Sequence, residues 1–256
     1  MRKGLLTLAE AVKLLRKHYG PPAPPPSGDP FELILWENVA YLASPSRRRE
    51  AFELLKSTVG TSPMAILAAG PGALERVTAR GILKENFADK LRECAHLAVE
   101  DFGGDLRKVI RGPLSAAKKA LRCFPGIGEP GAEKILLFTG RQALLAPESN
   151  GLRVLVRLGL LREETSYSKT YAASRRTAES LRAEPGVMQE AHLLLFGHGR
   201  TLCKRTAPRC EPCPLARGCA YVQRVQSFSS RHSPPPAGRS AGPRAKPEKR
   251  PRSVRG

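Results

Sequence analysis

The sequence predicts an all-α protein, and three observations carry that expectation. Apolar residues recur at three- and four-residue spacing between Phe31 and Phe196, the period of helices with one buried face. No convincing run of strand-like alternation interrupts them. The breaks fall on proline and glycine, at Ser44-Pro45, Thr61-Ser62-Pro63, Gly70-Pro71-Gly72, Gly81, Gly103-Gly104, Gly112-Pro113 and Pro125-Gly126, where helices start and stop.

Taken in order, Leu5, Leu6, Leu8, Val12, Leu14 and Leu15 form a first amphipathic helix that ends near His18 and Tyr19. PPAPPPSGDP, residues 21–30, follows as an extended linker, since proline fixes φ and removes backbone donors. Residues 113–123 and 130–139 read as helices joined by FPGIGE, a tight glycine hairpin. Gly126 and Gly128 let the backbone turn and approach a ligand, and the second helix offers free amides to a phosphate. Gly126, Gly128 and Gly131 also match the spacing of a dinucleotide loop. That motif needs a preceding strand, whereas Lys118, Lys119 and Arg122 mark a charged helix. Residues 223–256 carry nine Lys and Arg against one Glu, with abundant Pro and Ser, and are expected to be a disordered basic tail.

Composition narrows the function classes. With 41% hydrophobic residues the chain can bury a core. Its 43 Lys and Arg against 23 Asp and Glu give a net charge of +20, which favours polyanions and, among them, nucleic acid. No apolar run reaches the roughly 18 residues of a membrane span, and Glu10 and Lys13 break up the N-terminal stretch. A cytoplasmic protein with no membrane partner is expected.

Four of the six cysteines, Cys203, Cys210, Cys213 and Cys219, lie in a C-x6-C-x2-C-x5-C pattern. Four thiolates on one compact loop make a closed inorganic site, and chemistry alone admits either zinc or a [4Fe-4S] cluster. Lys204, Arg205 and Arg209 give the loop a basic surface. Cys94 and Cys123 are expected to be small buried hydrophobes.

HGRTLCKRTAPRCEPCPLARGC, together with PFELILWENVAYLAS, the FPGIG hairpin and SNGLRVLVRLGL in that order, resembles the endonuclease III and adenine glycosylase superfamily over roughly residues 30–222. The resemblance implies a two-lobed helix-hairpin-helix DNA glycosylase fold with a [4Fe-4S] cluster loop. It places a six-helix lobe at residues 30–139, a second lobe with the cluster loop at residues 1–29 and 140–222, and the tail at 223–256. It selects the [4Fe-4S] cluster over zinc as the cofactor. It also implies a monomer acting on double-stranded DNA that contains a damaged or mismatched base, with Pro125, Gly126, Ile127, Gly128 and Gly131 at the DNA.

Two family positions differ here. The lysine that forms a Schiff base in bifunctional members corresponds to Pro130, which suits a first helical turn but has no nucleophile. The aspartate before an Arg-Val pair corresponds to Glu148, ahead of Arg153-Val154. Glu37 falls where adenine glycosylases carry a base-protonating glutamate, a role that burial would favour by raising its pKa; the alternative is a carboxylate on an exposed helix face. Leu42 aligns with a gap-filling glutamine. Trp36 and Tyr41 are candidates for base stacking or core, and Arg47, Arg48 and Arg49 for phosphate contact. The implied activity is a monofunctional DNA N-glycosylase; the alternative is a non-catalytic iron–sulfur protein that binds damaged or branched DNA.

Overall fold

Proline and a small polar residue before it set several helix starts. In the computed structural model, which describes residues 4–40 and 42–232, Thr7 and Glu10 cap α1 (Leu8–Tyr19) reciprocally. Asp29 accepts from the Phe31 and Glu32 amides where Pro30 opens α2 (Pro30–Asn38). Ser44 caps α3 (Pro45–Thr58), and Ser62 caps α4 (Pro63–Ala68). Caps of this kind contribute about 1 kcal/mol each, and proline fits the first turn because its missing N–H would have no partner there. There follow α5 (Pro71–Thr78), α6 (Lys84–Glu100), α7 (Leu106–Arg111), α8 (Leu114–Leu121), α9 (Glu129–Phe138), α10 (Ser149–Leu158), α11 (Tyr167–Ser174), α12 (Pro185–Thr201) and α13 (Ala220–His232).

No strand occurs among the described residues. Two details depart from expectation. Residues 30–139 hold eight helices rather than six, because the Pro63, Pro71 and Pro113 breaks start short helices of their own. Residues 223–232 continue α13 rather than beginning the tail; Tyr221 and Val222 anchor that helix against the core. Tyr41 and residues 233–256 lie outside the described residues.

The buried apolar side chains form two cores. One gathers Ile34 and Leu35 of α2, Phe52 and Leu55 of α3, Leu91 and Cys94 of α6, Leu121 of α8, and Ile135 and Leu136 of α9. The other gathers Leu8 and Leu15 of α1, Leu152 and Leu155 of α10, Leu194 and Leu195 of α12, and Leu215 and Cys219. The first helix therefore packs with the C-terminal half of the chain, and the proline segment carries the backbone across to the other core. Helix α9 serves both, since its next residue, Leu137, lies in the second core. Cys94 is buried as expected, but Cys123 is exposed. It follows the end of α8, where its thiol turns back to the Lys119 carbonyl at 3.5 Å.

On one side of α9, Glu133 is fully buried and paired with Lys118, with Arg175 at 2.7 Å and with the Tyr171 hydroxyl. Burial and the Glu133 charge hold the Tyr171 phenol far above its ordinary value. Glu129, one turn earlier, shares Lys118 and Arg175. A buried carboxylate would be costly alone, and here three donors compensate it while fixing α9 against α8 and α11.

Helices α10 and α12 approach most closely at Gly199. A Cβ there would lie 2.5 Å from the backbone oxygen of Asn150, an atom that cannot swing aside. Gly199→Ala should therefore destabilise the protein by about 1–3 kcal/mol through overpacking, despite the better helix propensity of alanine. Gly197→Ala, with nothing within 4 Å of the added methyl, should be neutral or stabilising by about 0.5–1 kcal/mol. Thermal unfolding of the two variants checks this; equal shifts would contradict the close approach.

Candidate active site and nucleic-acid interface

The hairpin between α8 and α9 is preceded by a helix, not a strand, which removes the dinucleotide-loop reading. Gly126 has φ +75°, a left-handed conformation, and a Cβ on it would lie 2.7 Å from the Asn38 side-chain oxygen. Asn38 is buried and donates to the Ile34 and Pro125 carbonyls at 3.1 and 3.0 Å. The last turn of α2 thus braces the turn that glycine permits. Gly128 is the N-cap of α9 and supplies no side-chain cap bond, so the amides of the first turn are available to an anion. Pro125, Gly126, Ile127, Gly128 and Gly131 lie together at this end of α9.

Six residues further on, about 9 Å along the helix, Lys134 enters a cavity of about 500 Å³ lined by residues of α2, α3, α9 and α12, by Glu148, and by Pro22, Pro24 and Pro25 of the linker. Its ammonium lies 2.6 Å from Glu37 and 3.6 Å from Glu148. Burial works against the Lys134 charge, but Glu37 and Glu148 outweigh it and hold the amine above the ordinary lysine value.

Glu37 is therefore neither on an exposed face nor raised in pKa. Burial pushes its carboxyl up, yet Lys134 and, at 3.9 Å, Arg48 prevail and keep it below the usual carboxylate value. A group held ionised in this way has no proton to give as a general acid. Glu148 is the N-cap of α10 by position, but its side chain makes no cap bond; it turns to Lys134 instead.

His192 was not singled out by sequence. It is buried, and its Nδ1 donates to the Ala146 carbonyl at 2.8 Å. Burial and the Lys134 charge push its pKa down to about 4, so the cavity is faced by a neutral imidazole. Trp36 lines the same cavity, with the Arg48 and Arg49 guanidinium groups each 5.8 Å from its ring. Its edge contact with Phe52 holds it to the first core. Arg49 also donates to the Pro24 carbonyl at 2.9 Å and so is engaged within the protein. Nothing in a linear pattern marks Asn38, Lys134 or His192, because their partners are remote in sequence.

Leu42 is 69% exposed with φ +54°, an unusual backbone for a branched apolar residue. Ile82 and Leu83, missed by sequence reasoning, are also more than half exposed, and Leu83 repeats the left-handed backbone at φ +55°. The available signal was a pair of large apolar residues directly after Gly81 in a break.

None of the six cysteines is in a disulfide. Cys203, Cys210, Cys213 and Cys219 border one pocket with Val154, Leu158 and Leu215. No three His, Cys, Asp or Glu side chains among the described residues are gathered for a single metal ion. Burial pushes the Cys213 thiol up to about 11, with the neighbouring sulfurs adding to it. Arg153 and Arg157 hold the loop through the carbonyls of Cys203, Gly199, Lys204 and Arg205. A groove beside it is lined by Arg200, Lys204, Arg205 and Arg224. No helix among the described residues is long and apolar enough to cross a membrane.

No protein-family model matches the chain. It is 27% identical over 147 residues to a thymine/uracil-DNA glycosylase of Methanothermobacter thermautotrophicus, covering 57% of this chain and 61% of that protein. It is 25% identical over 197 residues to endonuclease III of Thermotoga maritima, covering 77% and 85%. A solved structure of endonuclease III trapped as a covalent intermediate with DNA superposes with a TM-score of 0.66 at 18% identity, over 87% of this chain and all of that one.

The depressed His192 pKa has a consequence for stability. The unfolded imidazole takes up its proton near pH 6.5, whereas the folded one does so near 4. Its contribution is fully present above pH 6.5 and is lost as pH falls toward 4. His192→Gln should therefore reduce the slope of unfolding free energy against pH in that window by up to about one proton. Urea unfolding at a series of pH values measures the slope, and an unaltered slope would show that His192 titrates normally.

Proposed function

We propose that this chain, endonuclease III-like in sequence and helix-hairpin-helix in fold, is a DNA glycosylase of base-excision repair. Its substrate is double-stranded DNA from which a damaged or mismatched base is extruded and hydrolysed away. One observation carries the reading: a single helix, α9, has an uncapped N-terminus at the glycine hairpin and, two turns on, meets two carboxylates in a cavity with an aromatic wall. A duplex held by its phosphates at the hairpin would have an extruded nucleotide within reach of that cavity.

In this mechanism the backbone around Pro125, Gly126, Ile127, Gly128 and Gly131 receives a phosphate. Leu42, exposed on a left-handed turn, enters the space left in the base stack, and Ile82 and Leu83 are suited to the same wedge role. The Glu148 carboxylate stabilises the positive charge that develops on the sugar as the base leaves. Glu37 contributes as a carboxylate and charge partner, and Trp36 offers a ring for stacking. Pro130 offers no amine, so the reaction is monofunctional and ends at an abasic site. The two departures from the family pattern, Pro130 and Glu148, also favour a second reading, a binder of damaged or branched DNA without chemistry.

The four-thiol loop fits a [4Fe-4S] cluster: its four cysteines border one pocket, and four thiolates on one compact loop are the donor set such a cluster takes. Cys203, Cys210, Cys213 and Cys219 would hold it. A bound cluster would cross-link the loop and so fix the basic groove beside it.

Two measurements test the proposal. Purified protein is expected to be brown, with about four irons and four sulfides per chain; stoichiometric zinc without labile sulfide, after purification without oxygen, would refute the cluster. Duplexes carrying uracil, oxidised pyrimidines, mismatched adenine or alkylated bases should reveal base release with the strand intact until alkali treatment. Glu148→Gln should slow that release by roughly a hundredfold or more while DNA binding persists. Tight binding to damaged duplex with no release of any base would leave the binder.

A further inference from the structure

We infer that Lys134 is the positioning residue of this site: one ammonium holds Glu37 of α2 and Glu148 at the start of α10 as carboxylates lining the same cavity. The inference rests on the glycosylase reading above and adds to it a residue that the family pattern does not supply. Glu37 belongs to α2, Glu148 precedes α10, and their carboxylates meet on Lys134 at 2.6 and 3.6 Å. Lys134 is four residues beyond Pro130 on α9, hence on the same helix face. Side chains lean toward the helix N-terminus, so the long lysine stem reaches back toward the hairpin.

The surrounding charges leave this work to Lys134. Arg48 of α3 stands 3.9 Å from Glu37, while Arg49 and Arg200, which also line the cavity, are engaged with the Pro24 carbonyl and the Phe196 ring. His192 of α12 is neutral, and the Tyr167 phenol of α11, which feels both Glu148 and Lys134, is raised by burial and by Glu148 and stays protonated. Without Lys134, two carboxylates would face one cavity with Arg48 beside one of them. One would then take up a proton at a higher pH, and a neutral acid cannot stabilise a sugar cation. Flanked by carboxylates, the amine itself stays protonated and is not a nucleophile.

The test compares wild type with Lys134→Met and Lys134→Arg in the full chain. Single-turnover base release against pH reads the site in action, and 13C-glutamate NMR, with Glu37→Gln and Glu148→Gln to assign the signals, reads the carboxylates without any turnover. In Lys134→Met the acid limb of the rate profile should move up by about one pH unit or more, the rate at neutral pH should fall about tenfold or more, and DNA binding should persist. At least one of the two carboxyl signals should titrate at correspondingly higher pH. Lys134→Arg should return both readouts toward wild type. If Lys134→Met does not fold, Lys134→Gln, uncharged but still a donor, takes its place.

Carboxyl titrations unchanged in the uncharged variant would overturn the inference. So would borohydride trapping of wild type on abasic DNA that is lost in Lys134→Arg, since Lys134 would then be a nucleophile. Absence of base release by wild type on every duplex would defeat the glycosylase reading, while the NMR titration would still decide the role of Lys134.

Discussion

An ammonium at the junction of two hydrophobic cores must be matched by negative charge, and that requirement organises much of this molecule. Lys134 is only 12% exposed, and an unpaired charge so buried would cost several kcal/mol. Its two partners come from elements belonging to different cores, so the electrostatic demand of one side chain ties the two halves of the chain at this cavity. The arrangement works only if α9 is held in rotation and in register. Glu133, the next residue back, provides this: its fully buried carboxylate is engaged by Lys118, Tyr171 and Arg175. Consecutive residues on α9 thus carry opposite charges toward different surroundings, each fully paired.

The end of α2 performs two tasks with two adjacent residues. Glu37 meets Lys134, and Asn38 reaches the hairpin through the Pro125 carbonyl. A shift of α2 would move the carboxylate and the glycine turn together, which links the position of the hairpin to that of the charged site through rigid packing. Leu42 and Leu83 lie outside this unit, exposed on turns with left-handed backbone. In the proposed reading such turns present side chains to a base stack instead of a core.

The helices, their proline-marked starts and the glycine hairpin were legible in the sequence because each follows from local constraints: Pro30, Pro45 and Pro63 fix φ, and Gly126 permits a turn closed to other residues. Charge composition pointed to nucleic acid for an equally direct reason. The charged site was legible only in part. Glu37 and Glu148 could be nominated, but the direction of the Glu37 pKa depends on Lys134, 97 positions away. Burial alone would have raised it, and no local pattern tells which effect prevails. His192 sits in the apolar run EAHLLLF like any core histidine, and only the folded chain brings it beside Lys134. The same limit explains Cys123, whose exposure depends on where α8 ends.

The linker has a chemical character of its own once it is seen as a wall of the cavity. Pro22, Ala23, Pro24 and Pro25 line it, and of these four only Ala23 has an amide hydrogen. The Pro24 carbonyl already accepts from Arg49. That stretch of wall therefore has almost no backbone donor to offer, and an acceptor atom in the cavity must look to side chains on the other sides, among them Arg48, Arg200 and the Lys134 ammonium.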